Sequence, residues 1–497
     1  KKDTMDVEVA ESGSILPMST LVLLGDVGVG KTVIATRLQS CLNPPPLPGE
    51  ADGEKPSASE PISPSTVESD GVRPIYLAGT ERTLLLYDPP GRRDLFRIAV
   101  KAIAHADLAV LVVSARQEEL ERGLEVGGQT REHALLACGL QVPFLVVVVS
   151  HMEDPKPLPP FSEAAFSHAK QRVSRLLSKF AFSPPPLKES CRAAKFPQEA
   201  GALFLPMAAG AEQEDGIVMP VGPLTASLSP ECADECLKSL LLSIEDGPPQ
   251  RAARRRDAPT RVSVDAVVRL PGTEKEKGGL IFTGKVLSGF LQKGKRYSVS
   301  LGQSVSKGAV CGDGLTERVE VKSLEFRGGA FEKVPAGWAV GFTLVSVAED
   351  TEGKVSEAQS DSTILLKFVK PGSVVFDPGS VPPSFFVCAG RFVARVLLVN
   401  HPGEIRRGYN PLMVVHQACV GVRLEDIVAK LDRDTGTVVE RDPAFLRRGD
   451  SAVIVLVPVK PVFVETFLRS ARFGRFVLRD QAASVGIGVV LSVDGRS

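Results

Sequence analysis

The chain carries no excess of either charge. Fifty-nine lysines and arginines stand against 59 aspartates and glutamates in 497 residues. A balanced chain has no global field to draw it onto a polyanion, so any contact with nucleic acid has to come from local patches. No apolar run approaches the roughly 20 residues that span a bilayer, and no membrane contact is expected. The opening stretch KKDTMDVEVAESG lacks the apolar core of a secretory signal, and it lacks an initiator methionine, so a fragment is an open expectation. Cysteines (8) and histidines (6) are few and scattered. That argues against a zinc site and for reduced thiols in a cytoplasmic protein. Only Cys232 and Cys236 lie close together, in ECADECLKSLLLSI, and no second Cys/His pair accompanies them.

A chain of this length is too long for one core and predicts about three domains. In the first half, short apolar runs (STLVLLG, RTLLLYD, DLAVLVVSA, FLVVVVS, ALFLPM) alternate with helical segments (KTVIATRLQSCL, RIAVKAIAHA, QTREHALLACGL, FSHAKQRVSRLLSKF). Such alternation predicts a mostly parallel sheet with helices on both faces. The pattern breaks at DGPPQRAARRRDAPT. Beyond it, alternating strands such as RVSVDAVVRL, GLIFTGKVLSG and RFVARVLLVN, punctuated by Gly and Pro, predict all-β barrels or sandwiches. The expected fold is an α/β P-loop domain over 17–245, a linker over 246–258, and β-barrel domains over 259–380 and 384–497. Residues 43–72 form a Pro/Ser/Glu tract expected to be a flexible surface loop, and polar inserts are expected at 301–316 and 348–362.

Gly25-Asp26-Val27-Gly28-Val29-Gly30-Lys31-Thr32 satisfies G-x-x-x-x-G-K-[ST] between an expected strand and helix. The glycines let the backbone turn its N–H groups toward phosphates at the positive end of the helix. Lys31 would reach the outer phosphates, and Thr32 would offer its hydroxyl to Mg²⁺. Asp88 ends the strand RTLLLY before Pro89-Pro90-Gly91, where a carboxylate can hold Mg²⁺ through water and the glycine N–H can meet a terminal phosphate. The strand FLVVVVS ends in Ser150-His151-Met152-Glu153-Asp154, at the edge where open α/β sheets bind ligands.

DPPGRRDLFRIAVKAIAHADLAVLVVSARQEELERGLEVGGQTREHALLACGLQVPFLVVVVSHMED resembles the core of the translational GTPases related to elongation factor 1-alpha. Its most specific tract is Gly127-Gly128-Gln129-Thr130-Arg131-Glu132-His133-Ala134, and the likeness resumes in LDRDTGTVVERDPAFLRRGD and FGRFVLRD. Parts of the chain look most like the termination and rescue branch of class II release factors and the GTPase partner of Pelota. The third domain, with NHPGEIRRGYNP, looks more like elongation factor 1-alpha itself.

The resemblance implies GTP and GDP as nucleotides, Mg²⁺ as cofactor, and a monomer acting at the ribosome with a tRNA or a tRNA-mimicking protein. It implies phosphate contacts from Asp26, Val27, Gly28, Val29, Gly30, Lys31, Thr32 and Gly91. Metal contacts fall to Thr32 and Asp88, and guanine contacts to Ser150, His151, Glu153, Ala208 and Ala209.

Departures from the family pattern bear on chemistry. Gly28 stands where the family has an acidic residue, and Arg92 where a histidine positions the attacking water. Arg92 is thereby the candidate catalytic position, although a guanidinium stays protonated and cannot act as a neutral imidazole. No R-G-I-T segment supplies a switch threonine, Thr66 being the nearest candidate. Glu153 keeps the charge of the family aspartate one methylene further out, and Ser150 is expected to be too short to replace fully an asparagine amide that braces the P-loop. Two readings follow: a working GTPase, or a pseudo-GTPase that binds nucleotide and serves as a ribosome-associated module. The cluster Arg251, Arg254, Arg255 and Arg256 reads as an RNA contact or as a solvated linker. Arg469, Arg472, Arg475 and Arg479, interleaved with Phe473 and Phe476, read as a strand with one buried and one solvated face.

Overall fold

The computed structural model describes residues 18–41, 74–78, 83–92, 95–160, 162–180, 198–199, 202–207, 256–269, 280–300, 316–326, 329–349, 355–357, 368–380, 386–387, 390–481 and 483–494. The 43–72 tract, Thr66, Ala208, Ala209, Cys232, Cys236, Arg251, Arg254 and Arg255 lie outside them, as does most of the 301–316 insert.

The N-terminal domain is built on β1 (Met18–Leu24), α1 (Lys31–Cys41), β2 (Pro74–Ala78), β3 (Thr83–Tyr87), α2 (Phe96–His105), β4 (Leu108–Ser114), α3 (Gln117–Leu124), α4 (Gln129–Gly139), β5 (Leu145–Ser150), α5 (Glu163–Lys179), β6 (Gln198–Glu199) and β7 (Ala202–Pro206). Its sheet runs β2-β3-β1-β4-β5-β7-β6. The pairs β3–β1, β1–β4, β4–β5 and β5–β7 are parallel, and the edge strands β2 and β6 are antiparallel. β4 and β5 are buried along their whole length, so their valines and leucines form unbroken runs instead of alternating. β2 and α3 are additions to the elements expected from periodicity.

Helix α2 buries Ala99, Val100, Ala102 and Ile103 on one face, the spacing of an amphipathic helix. Helix α4 is different, since every residue from Gln129 to Gly139 is buried. Its final glycine explains part of this: a Cβ at Gly139 would lie 2.3 Å from a methyl of Val477 and 3.1 Å from one of Ile487, both in the third domain. The helix is therefore enclosed between its own sheet and a barrel.

Each of the two following domains closes into a six-stranded antiparallel barrel. In the first, the strands Arg261–Arg269, Leu280–Ser288, Arg296–Ser300, Thr316–Phe326, Ala339–Glu349 and Val374–Phe376 form a ring that the pairing of 316–326 with 339–349 completes. Phe282 and Phe342 stack inside it with ring centroids 5.9 Å apart. In the second, Arg391–Leu398, Leu412–Val415, Ala418–Leu431, Ser451–Pro458, Arg475–Asp480 and Ala483–Asp494 close through 412–415 on 418–431. Strand 391–398 alternates buried and half-exposed residues, the period-two signature of a barrel wall.

Polar contacts join the three domains. Asp107 accepts Lys285 Nζ at 2.7 Å from the first barrel and Arg472 Nη2 at 3.0 Å from the second. Arg261 and Glu465, both buried, pair between the barrels at 3.1 Å. Arg479 meets Glu132 of α4 at 3.2 Å, and Arg475 donates to the Cys138 carbonyl at 3.3 Å. The expected solvated arginine face of this segment is thus corrected for three residues. Arg472, Arg475 and Arg479 turn toward the N-terminal domain, because its carbonyls and carboxylates satisfy guanidinium groups that the barrel packing buries. Arg469 remains exposed, and Phe473 and Phe476 are buried as expected.

Candidate nucleotide site

The loop from Gly25 to Gly30 connects β1 to α1 and faces the carboxyl ends of β3, β4 and β5. Gly28 has φ 81° and Gly30 φ 88°. An acidic side chain at Gly28 would be strained by that left-handed backbone, which accounts for glycine there. Lys31 is 7% exposed, and its Nζ donates to the carbonyls of Gly25 at 3.2 Å and Asp26 at 2.5 Å. Burial lowers its pKa, against the pull of Asp88 and Asp26.

Thr32 Oγ1 donates to Asp88 Oδ2 at 3.0 Å, which brings the first turn of α1 against the end of β3. Burial raises the Asp88 pKa, while the Thr32 hydrogen bond and Lys31 oppose the rise. Gly91 closes this corner: a Cβ there would lie 2.8 Å from Lys31 Nζ and 2.9 Å from the Val27 nitrogen. Lys31, Thr32, Asp88 and Gly91 are therefore brought together. Among the described residues no group of three or more His, Cys, Asp or Glu gathers to hold a metal. A threonine hydroxyl and a carboxylate nonetheless suit Mg²⁺, which takes one or two protein oxygens and completes its shell from phosphates and water. Arg92 is exposed beside Gly91, and its carbonyl accepts from the Leu95 N–H at 3.3 Å.

At the tip of β5, Ser150 is buried, and its Oγ lies 2.8 Å from the Val29 carbonyl of the loop and 3.0 Å from that of Val113 in β4. The serine reaches the phosphate loop. One hydroxyl proton serves one carbonyl at a time, so the brace is direct but single. Its hydroxyl is turned under the loop. His151 places Nε2 3.0 Å from the Gly28 carbonyl and Nδ1 3.4 Å from Glu153 Oε1. Its ring is tied at one edge to the loop.

His133 completes the site, a role that residue patterns alone do not assign. Its Nδ1 accepts the Gly25 N–H at 3.0 Å, and the Gln129 amide nitrogen lies 2.9 Å from its Nε2. Full burial holds its pKa down at about 3, keeping the ring neutral. The signal was present in GGQTREHA, where a polar run occupies a helix that has no solvent face.

A P-loop on a mostly parallel sheet, with two closed barrels behind it, defines a nucleotide-binding protein of the translation-factor class. The model of the elongation factor Tu GTP binding domain matches residues 17–244, and that of the GTP-eEF1A C-terminal domain-like family matches 391–491. Elongation factor 1-alpha of Onchocerca volvulus is 30% identical over 416 residues, covering 83% of this chain and 77% of the relative. That of Saccharolobus solfataricus is 29% identical over 413 residues, covering 82% and 78%. The elongation factor SelB of Methanococcus maripaludis, solved with the GTP analogue GppNHp, shares the fold at a TM-score of 0.59 and 13% identity, covering 97% of this chain and 80% of that one. The chain belongs to the elongation factor 1-alpha family of translational GTPases.

Proposed function

We propose that the chain binds GTP and GDP with Mg²⁺ and acts at the cytoplasmic ribosome with a tRNA or a tRNA-mimicking protein of the release-factor or Pelota kind. The observation that carries this is the convergence of Lys31, Thr32, Asp88 and Gly91 on one loop. Bound Mg²⁺ would neutralise phosphate charge. The loop N–H groups at the head of α1 would bind the phosphates, Lys31 would exchange its carbonyl partners for the outer phosphates, and Thr32 and Asp88 would hold the metal. Glu153 accepts hydrogen bonds from the guanine edge, and Ser150 and His133 hold the loop in shape from behind.

The Arg92 position favours a second reading of the same site, in which nucleotide binds and hydrolysis is slow. A permanently protonated guanidinium cannot orient water as a neutral imidazole does. Affinities for mant-GTP, mant-GDP and a mant-ATP analogue, measured with and without Mg²⁺, test the binding. Binding of no nucleotide, unchanged by Lys31→Ala, rejects both readings. Phosphate release with ribosomes separates them: stimulation well above background supports the working GTPase, and a background rate restored by Arg92→His supports the pseudo-GTPase.

A further inference from the structure

His151 lies at φ 56°, a left-handed conformation that few side chains other than glycine adopt readily, histidine being among those enriched there. From that position its imidazole spans two halves of the site. Nε2 lies 3.0 Å from the Gly28 carbonyl, and Nδ1, itself buried, lies 3.4 Å from Glu153 Oε1. The second distance is that of an ion pair and is longer than a good hydrogen bond. A carbonyl oxygen only accepts, so Nε2 carries a proton in either charge state. In the neutral ring Nδ1 would then turn a lone pair toward the Glu153 carboxylate, and the contact would repel. Only the imidazolium satisfies both neighbours.

We infer that His151 is a positioning residue whose imidazolium ties the base-reading carboxylate of Glu153 to the phosphate loop, so that guanine preference depends on the protonation of this ring. The inference rests on the proposed nucleotide reading of the same site. Glu153 is one methylene longer than an aspartate and has more rotamer freedom to lose. The tie to His151 holds one carboxylate oxygen in place. Arg116, from the start of α3, opposes the positive charge on the ring. It is itself engaged by Glu119 at 3.2 Å and Asp154 at 3.3 Å, and Glu119 interacts electrostatically with His151 as well. The balance, led by Glu153, raises the His151 pKa above its ordinary value. Since the folded pKa is raised, the tie is complete at low pH and is lost as pH rises through the folded value.

The test compares mant-GDP with mant-IDP, whose base lacks the exocyclic amine, between about pH 5.5 and about pH 8. The wild-type preference for GDP should fall by about fivefold across this range, the lower end of ordinary site-to-site coupling. His151→Asn tolerates the left-handed backbone without titrating, so its preference should stay weak and flat. Titration of the bases themselves is common to both proteins and cancels in the comparison. Glu153→Gln should also be flat, with GDP still bound through the phosphates. A pH-independent preference in the wild type, or the same slope in His151→Asn, overturns the inference while leaving nucleotide binding intact. Failure to bind GDP at any pH overturns it together with the proposed function.

Discussion

Asp107 is where three domains meet, and its removal is the sharpest test of what holds them. Its Oδ2 accepts Lys285 Nζ at 2.7 Å and the Thr20 N–H at 3.1 Å, while Oδ1 accepts Arg472 Nη2 at 3.0 Å. Lys285 is 2% exposed, and its other acceptors are Thr20 Oγ1 at 2.8 Å and the His105 carbonyl at 2.7 Å. Asp107→Asn keeps the shape and removes the charge, which leaves a buried ammonium facing neutral oxygens. Breaking a buried pair in this way costs about 3–5 kcal/mol. The Asp107 side chain is 27% exposed, so partial screening lowers the expectation to about 2–4 kcal/mol. For folding units of this size, about 2–4 °C per kcal/mol gives a fall in Tm of about 4–16 °C. Calorimetry reads each transition separately, and small-angle scattering reports whether the domains separate. Adding Lys285→Met to Asp107→Asn should recover part of the loss, because the more deeply buried ammonium is removed while Arg472 keeps the Ala104 and Ala106 carbonyls as acceptors. A single variant within about 1 kcal/mol of wild type, or a double variant no better than the single, refutes the reasoning.

Acid should weaken the fold through His133 and His416, both fully buried and neutral with pKa values of about 3. The unfolded chain takes up these protons from about pH 6.5, so stability is lost as pH falls from there toward 3. At pH 5 each histidine costs about 2 kcal/mol. Urea unfolding at pH 7 and pH 5 should show a smaller loss in His416→Asn than in wild type; equal losses would show that His416 is not the cause. Ser150→Ala leaves the Val29 carbonyl without its buried donor and should cost about 1–3 kcal/mol, with weaker mant-GDP binding. Gly91→Ala places a methyl against Lys31 and Val27. It should leave the melting temperature within a few degrees and weaken mant-GDP by about tenfold or more, a loss of about 1.4 kcal/mol.

Much of the architecture was legible because burial leaves a period. The unbroken valines of β5 marked a central parallel strand, and the alternation in RFVARVLL marked a barrel wall. The phosphate loop was legible because its glycines and Lys31 have few structural substitutes. What periodicity could not carry was contact between distant segments. Helix α4 gives no amphipathic signal, since one side packs on the sheet and the other on a barrel some 340 residues later, where Arg479 meets Glu132. Arg472 and Arg475 read as solvent-facing for the same reason: their partners Asp107 and Cys138 lie in another domain. His151 stood out at the tip of β5, but its bond to Gly28 depends on a positive φ that residue order does not announce.

The departures from the family pattern are unequal in physical consequence. Gly28 fits a loop whose backbone stands at φ 81°, so an acidic residue is replaced without loss of the loop. Ser150 replaces an amide yet still reaches the Val29 carbonyl at 2.8 Å, so the brace survives with fewer hydrogen bonds. Glu153 exceeds an aspartate by one methylene, and His151 stands 3.4 Å from it to restrain that added freedom. Each of these three changes touches binding, and each has a neighbour or a backbone geometry that offsets it. Arg92 differs in kind, because no arrangement of neighbours gives a guanidinium the lone pair with which a neutral imidazole orients water. On the proposed reading of the site, drift in this chain bears harder on hydrolysis than on nucleotide binding, and Arg92→His is the substitution with which to measure it.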